Sequence, residues 1–186
     1  MIFASVSNFF FQFAFLEFLL IIFLAFICDF DVFFAKFAKD HNHRMLITHS
    51  IIPSIVIIIL GLIFLWPALV IGGIVYFVHI IVDSFDWGTN FFYFPKKPFG
   101  LKLLILDEEL QDLPKYLSEY KNPESFFDSK YYGSRFNIAF EIILFILMVI
   151  TILIFALEYT LVILLYFVFL TFHLLRHYRL KKIEAS

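Results

Sequence analysis

The run LITHSIIPSIVIIILGLIFLWPALVIGGIVYFVHIIV, residues 46–82, decides the architecture. It stays apolar for far longer than one membrane crossing, which takes about 20 residues. Pro67 stands near its middle. Proline lacks an amide donor and disfavours helical backbone at the residue before it, so Trp66–Pro67 reads as a turn between two helices. The expected spans are 47–66 and 68–82. A buried hairpin that enters and leaves by one face is the alternative, with Gly72–Gly73 as a second place to break. Either arrangement returns Asp83 to the side on which the tract begins.

Outward from this tract, three more stretches have the length and composition of a crossing: 6–28, 136–157 and 159–175. Past Ser7 and Asn8, the first is interrupted only by Gln12 and Glu17. It has no basic residues ahead of it, so it reads as a retained span rather than a cleaved leader. The composition agrees: 62% of residues are hydrophobic, 16% are charged, and there are 29 Phe. Soluble domains sit near about 45–50% apolar and about 25% charged. Disorder, a disulfide scaffold and collagen are excluded by the hydrophobicity, the single Cys28 and the six glycines without a period. The expected fold is an all-α, multi-pass transmembrane bundle of about five spans, a single integral membrane domain over 1–186.

Between spans three and four lies a polar region, 83–135. Its Leu103, Leu106, Leu110, Leu113, Leu117 and Tyr120 recur at helical spacing. This predicts an amphipathic helix, lying on the membrane or packed on the spans, which Pro114 should kink or divide. The following KNPESFFDSKYYGSR, residues 121–135, is rich in turn formers and reads as irregular. With five spans, all fourteen Lys and Arg fall on one side. That side is then the cytoplasm, with the C-terminus inside and the N-terminus outside.

The polar interruptions gather on that same side. Asp29 and Asp31 lie in CDFD at the end of span one. HNHRMLITHS supplies His41, His43, Arg44, Thr48, His49 and Ser50 at the entry to span two. His79 and Asp83, four residues apart on one helical face, close span three. Helix rise places His49 and Asp83 each about 25 Å from the Trp66–Pro67 turn, so they return to one depth. Aspartate and histidine suit a divalent cation: zinc first, with manganese, iron or magnesium as alternatives. Six candidate groups exceed the needs of one tetrahedral ion, so there are two ions, or some groups orient ligands and move protons. Asp31, His43, His49, His79 and Asp83 are the metal candidates. Asp29 is assigned to bridging, orienting or accepting a proton, and Arg44 to a substrate's negative charge. Thr48 and Ser50 either bond to ligands or cap the helix, and His41 has only proximity in its favour.

These segments resemble the YdjM-like family of inner-membrane proteins, described as membrane-bound metal-dependent hydrolases (domain of unknown function 457). CDFD matches an acidic PDxD-type motif, with Cys28 at the usual proline position. His43, Arg44, Thr48, His49 and Ser50 match an HR-x-x-THS-type motif with one extra residue. His79, Asp83, Gly88 and Pro98–Phe99 follow the third motif in order, with Pro95 as a second counterpart of its proline. The resemblance covers residues 9–100 and implies metal-dependent hydrolysis.

The expected function is hydrolysis of an ester or phosphoester at the cytoplasmic membrane face. A lipid phosphate fits a site rimmed by Lys96, Lys97 and Lys102, and the bilayer is the expected partner. A metal or small-solute transporter, using Glu17 in a path, is one alternative; a noncatalytic membrane protein with a structural metal is another. Glu141 is a candidate for supporting the site, and Glu158 is placed in the turn between the last two spans. The basic loop is interleaved with acids and carries no reading motif, so no nucleic acid is expected.

Overall fold

The computed structural model describes residues 1–38, 42–94 and 97–186; Lys39, His41, Pro95 and Lys96 lie outside the described residues. Every regular element among those described is helical, apart from an isolated bridge between Thr89 and Phe99. The chain forms two compact units, Met1–Leu103 and Leu104–Ser186.

The first unit contains α1 (Ile2–Phe11), α2 (Phe15–Leu24), α3 (Ile51–Ile63) and α4 (Pro67–Asp86), with 3-10 segments at Ile27–Phe37, His43–Met45 and Ile47–His49. The stretch expected as one helix over 6–28 is therefore two. The break falls where the polar residues interrupt the apolar run. Gln12 takes a left-handed conformation, its N–H donating to the Asn8 carbonyl at 2.8 Å. The Asn8 side chain accepts from the Phe13 N–H at 2.9 Å, and Glu17 Oε2 accepts from the Ala14 N–H at 3.0 Å. Side chains thus satisfy backbone groups that the break would otherwise leave bare in an apolar setting.

Trp66–Pro67 is the turn that the sequence implies. α3 ends at Ile63, and Pro67 opens α4 at a position where a missing N–H costs nothing. Trp66 Nε1 donates to Glu17 Oε1 at 2.6 Å, tying the turn to α2. Gly72–Gly73 is not a break: α4 runs unbroken through it. These glycines instead allow close helix approach. A Cβ on Gly73 would lie 2.6 Å from Ile58 Cγ1 of α3, and one on Gly72 would collide with Leu24 of α2. The N-terminal end of α3 and the C-terminal end of α4 consequently lie at one end of the unit, and the chain leaving α2 beside Gly72 runs toward that end, Cys28 packing on Tyr76 and Ile80.

The second unit contains α5 (Asp107–Gln111), α6 (Leu113–Ser118), α7 (Glu124–Gly133), α8 (Arg135–Phe155) and α9 (Ile163–Ala185). The expected division at Pro114 occurs between α5 and α6, while 103–106 stay outside the helix. The segment read as irregular is largely helical, as α7. Asn122 Oδ1 accepts from the Glu124 N–H at 2.9 Å, and the buried Phe126 packs on Tyr120. Asp128 and Glu124 bond His177 and Arg176 of α9 at 2.6 and 3.3 Å, so tertiary partners override the turn-forming composition. Glu158 lies in the 3-10 link Leu157–Val162 between α8 and α9, and α9 extends well past the expected end at 175.

Three helical stretches are long and apolar enough to cross a membrane: Pro67–Asp86, Arg135–Phe155 and Leu157–Ala185, the last joining the 3-10 link to α9. α1, α2 and α3 are shorter apolar helices; the 13 residues of α3 rise only about 20 Å. The exposed surface of the long helices is rich in Phe, Leu and Ile, as a lipid-facing surface requires.

Candidate metal centre

The three clusters expected to meet do meet. The 3-10 segment after α2 carries Asp29 and Asp31, the two short 3-10 turns carry His43, Arg44 and His49, and the last turns of α4 carry His79 and Asp83. Each short turn is held in place. The Asn42 side chain accepts from the Arg44 N–H at 3.1 Å. Ser50 Oγ donates to the Ile47 carbonyl at 2.6 Å and accepts from the Ile52 N–H, so Ser50 is the cap of α3. Asn90, beyond α4, donates its N–H to the Arg44 carbonyl and its side-chain amide to the Met45 carbonyl, both at 3.0 Å. Tyr76 Oη donates to the Thr48 carbonyl at 2.5 Å.

His49 is the centre of the arrangement and is fully buried. Its Nδ1 lies 2.8 Å from Asp31 Oδ2, while Asp31 Oδ1 lies 2.8 Å from His43 Nδ1. Thr48 Oγ1 also donates to Asp31 Oδ2. An ionised carboxylate only accepts, so both imidazoles present Nδ1–H to Asp31 and turn Nε2 away from it.

At the opposite edge of the ring the contacts change character. His49 Nε2 lies 3.2 Å from Asp83 Oδ2 and 3.8 Å from Asp29 Oδ1. His79 Nε2 lies 3.4 Å from Asp29 Oδ1 and 3.5 Å from Asp83 Oδ2. Despite this proximity, His49 Nε2, His79 Nε2 and Asp83 Oδ2 are buried without a hydrogen-bond partner among the described residues. Native proteins rarely leave such groups unsatisfied. Ligands about 2.0–2.1 Å from a tetrahedral ion lie about 3.3 Å from one another, close to these separations. The donor set thus fits a divalent cation. Asp29 is half-exposed and marks the open side of the group.

Charge leads to the same conclusion. Asp29, Asp31 and Asp83 gather around His49, and the guanidinium of Arg44 approaches this group at Asp83, its Nε 4.0 Å from Asp83 Oδ2. With neutral imidazoles the group lacks two positive charges, which protons or a divalent ion must supply. Burial favours the neutral form of Asp29 and Asp31, yet the surrounding imidazoles hold both carboxyls well below the usual range. His43 moves the other way, because burial outweighs Asp31 and lowers it.

Arg44 stacks its guanidinium 5.5 Å from the Trp87 ring centroid, and its buried Nε has no hydrogen-bond partner among the described residues. Around the site, Phe30, Phe33, Phe34 and Phe37 of one segment and Phe92, Phe94 and Phe99 of another are exposed. Lys97 lies in the second segment, and Lys102 follows it. Glu141 bonds Tyr131 Oη at 2.9 Å within the second unit.

Cys28, Tyr76, Trp87 and Asn90 also contribute to the site, although the motif spacing does not single them out as functional. Cys28 adjoins Asp29, and Trp87 and Asn90 lie in the DWGTN run after Asp83, the only local signals in their favour. No protein-family model, curated protein or solved structure matches the chain.

Proposed function

We propose that this chain is a metal-dependent hydrolase of the cell membrane, acting on an ester or phosphoester at the cytoplasmic face, with a lipid phosphate as the favoured substrate class. The observation that carries the reading is the set of buried, unpartnered His49 Nε2, His79 Nε2 and Asp83 Oδ2 atoms facing the half-exposed Asp29. Resemblance to the YdjM-like motifs supports the same chemistry. The partition of all Lys and Arg to one side supports five crossings, with the N-terminus outside and the C-terminus and site inside.

Asp29, His49, His79 and Asp83 would hold the cation, zinc before manganese, iron or magnesium. When bound, it supplies Lewis-acid polarisation and a water acidified toward neutrality. Asp31 takes a positioning role: its bond to His49 Nδ1 selects the tautomer with a free Nε2. His43, bonded through Nδ1 to the same carboxylate, presents its other nitrogen for proton transfer. Arg44 binds the anionic group of the substrate, its guanidinium supported on Trp87. The exposed phenylalanines on both flanking segments suit a substrate that stays in the bilayer while its headgroup reaches the carboxylates.

The test is metal analysis of purified protein followed by assays on phospholipid, isoprenoid-phosphate and soluble phosphoester panels. The expected result is turnover abolished by chelation and restored by zinc, and loss of bound metal in folded His49→Ala and Asp83→Ala proteins. Turnover unchanged by chelation, or metal retained at the wild-type level in both variants, overturns the reading. Bound metal without turnover on any panel assigns the site a structural role instead.

A further inference from the structure

Cys28 is the one thiol in the chain, and it is buried to 1% exposure at the start of the segment that carries Asp29 and Asp31. It packs with Tyr76 and Ile80 of α4. A buried cysteine ordinarily behaves as a small apolar filler. Its position here is unlike that of a filler. One ligand atom from each of Cys28, Asp29, His49 and His79 lies within 4.8 Å of all the others. Two of these partners, His49 and His79, carry buried Nε2 atoms without a hydrogen-bond partner among the described residues. The sulfur therefore borders the same unsatisfied space that the imidazoles face.

We propose that Cys28 is a thiolate donor to the cation held by Asp29, His49 and His79, and that it makes the centre selective for zinc. The inference rests on the metal-binding reading above. Carboxylates and imidazoles alone suit manganese, iron, magnesium or zinc, whereas one thiolate shifts the preference toward zinc. A zinc–sulfur bond of about 2.3 Å puts neighbouring ligands about 3.5 Å from the sulfur, so closing the group takes a side-chain adjustment of about an ångström. On binding, the sulfur–zinc bond forms and the thiol proton passes to solvent. Asp83 stands beside the same two imidazoles and competes for the remaining position. Cys28 and Asp83 together thus determine how open the centre is to water.

X-ray absorption at the zinc edge of the full-length, zinc-loaded protein tests this without reference to activity. The expected spectrum contains one sulfur shell at about 2.3 Å beside nitrogen and oxygen at about 2.0–2.2 Å. Cys28→Ser should lose the sulfur shell, keep bound metal and lose preference for zinc over manganese in competition. A wild-type spectrum with only nitrogen and oxygen overturns the role of Cys28 and leaves the metal centre standing. A wild-type protein that takes up no zinc overturns the metal reading, and this inference with it. The wild-type spectrum decides the matter even if the serine variant fails to fold.

Discussion

The Oδ2 atom of Asp31 lies 2.8 Å from Nδ1 of His49, a ring with no solvent exposure, and this contact determines which nitrogen of His49 is available to a ligand. With the proton held on the Asp31 side, Nε2 carries the lone pair that faces Asp83 and Asp29. The same carboxylate holds His43, so one aspartate sets the tautomers of two imidazoles.

Asp31→Asn should therefore weaken zinc binding by about 10–100-fold while leaving the fold intact, because the carboxamide can present its N–H to the ring and reverse the tautomer. Equilibrium competition against a chromophoric chelator gives the constant. An unchanged constant would mean that the orientation of His49 does not depend on Asp31.

The stability that zinc confers should grow with pH. The depressed carboxyls of Asp29 and Asp31 contribute above the ordinary carboxylate range and fail only in acid. Zinc requires deprotonated imidazoles at His49 and His79, so its affinity rises with pH. In detergent, the Tm gap between zinc-loaded and chelated protein should widen between about pH 5.5 and 8. A constant gap between the two across that range would refute the linkage.

Replacing Arg44 with alanine should leave metal content at the wild-type level and raise KM for an anionic substrate by about tenfold or more, the scale of one charge-assisted hydrogen bond. The side chain approaches Asp83 only to 4.0 Å, so the carboxylate keeps its imidazole neighbours. Metal loss in this variant would instead make Arg44 part of the support for the centre.

Glu17 accepts from Trp66 Nε1 at 2.6 Å and from the Ala14 N–H at 3.0 Å, at the end of α4 remote from Asp83. Glu17→Ala should cost about 1–3 kcal/mol of stability and leave zinc content unchanged. Thermal unfolding beside metal analysis reads both. Metal loss would revive a path that joins Glu17 to the His/Asp group.

The sequence by itself determined the class and the turn on which the first unit is built. An apolar excess of this size needs a lipid-like surrounding, and the Trp66–Pro67 break follows from proline's ring alone. It also identified the residues that meet, since helical rise returns His49 and Asp83 to one depth. Tertiary structure decided what each does. Whether an aspartate faces an imidazole's Nδ1 or its Nε2 depends on side-chain direction in short 3-10 turns, which no hydropathy period encodes. The break at Gln12–Ala14 depends on Asn8 and Glu17 finding backbone donors, and α7 is helical because α8 and α9 supply partners for Tyr131, Asp128 and Glu124. Cys28 had no partner in sequence; its neighbours His49 and His79 arrive only when α3 and α4 fold back beside it.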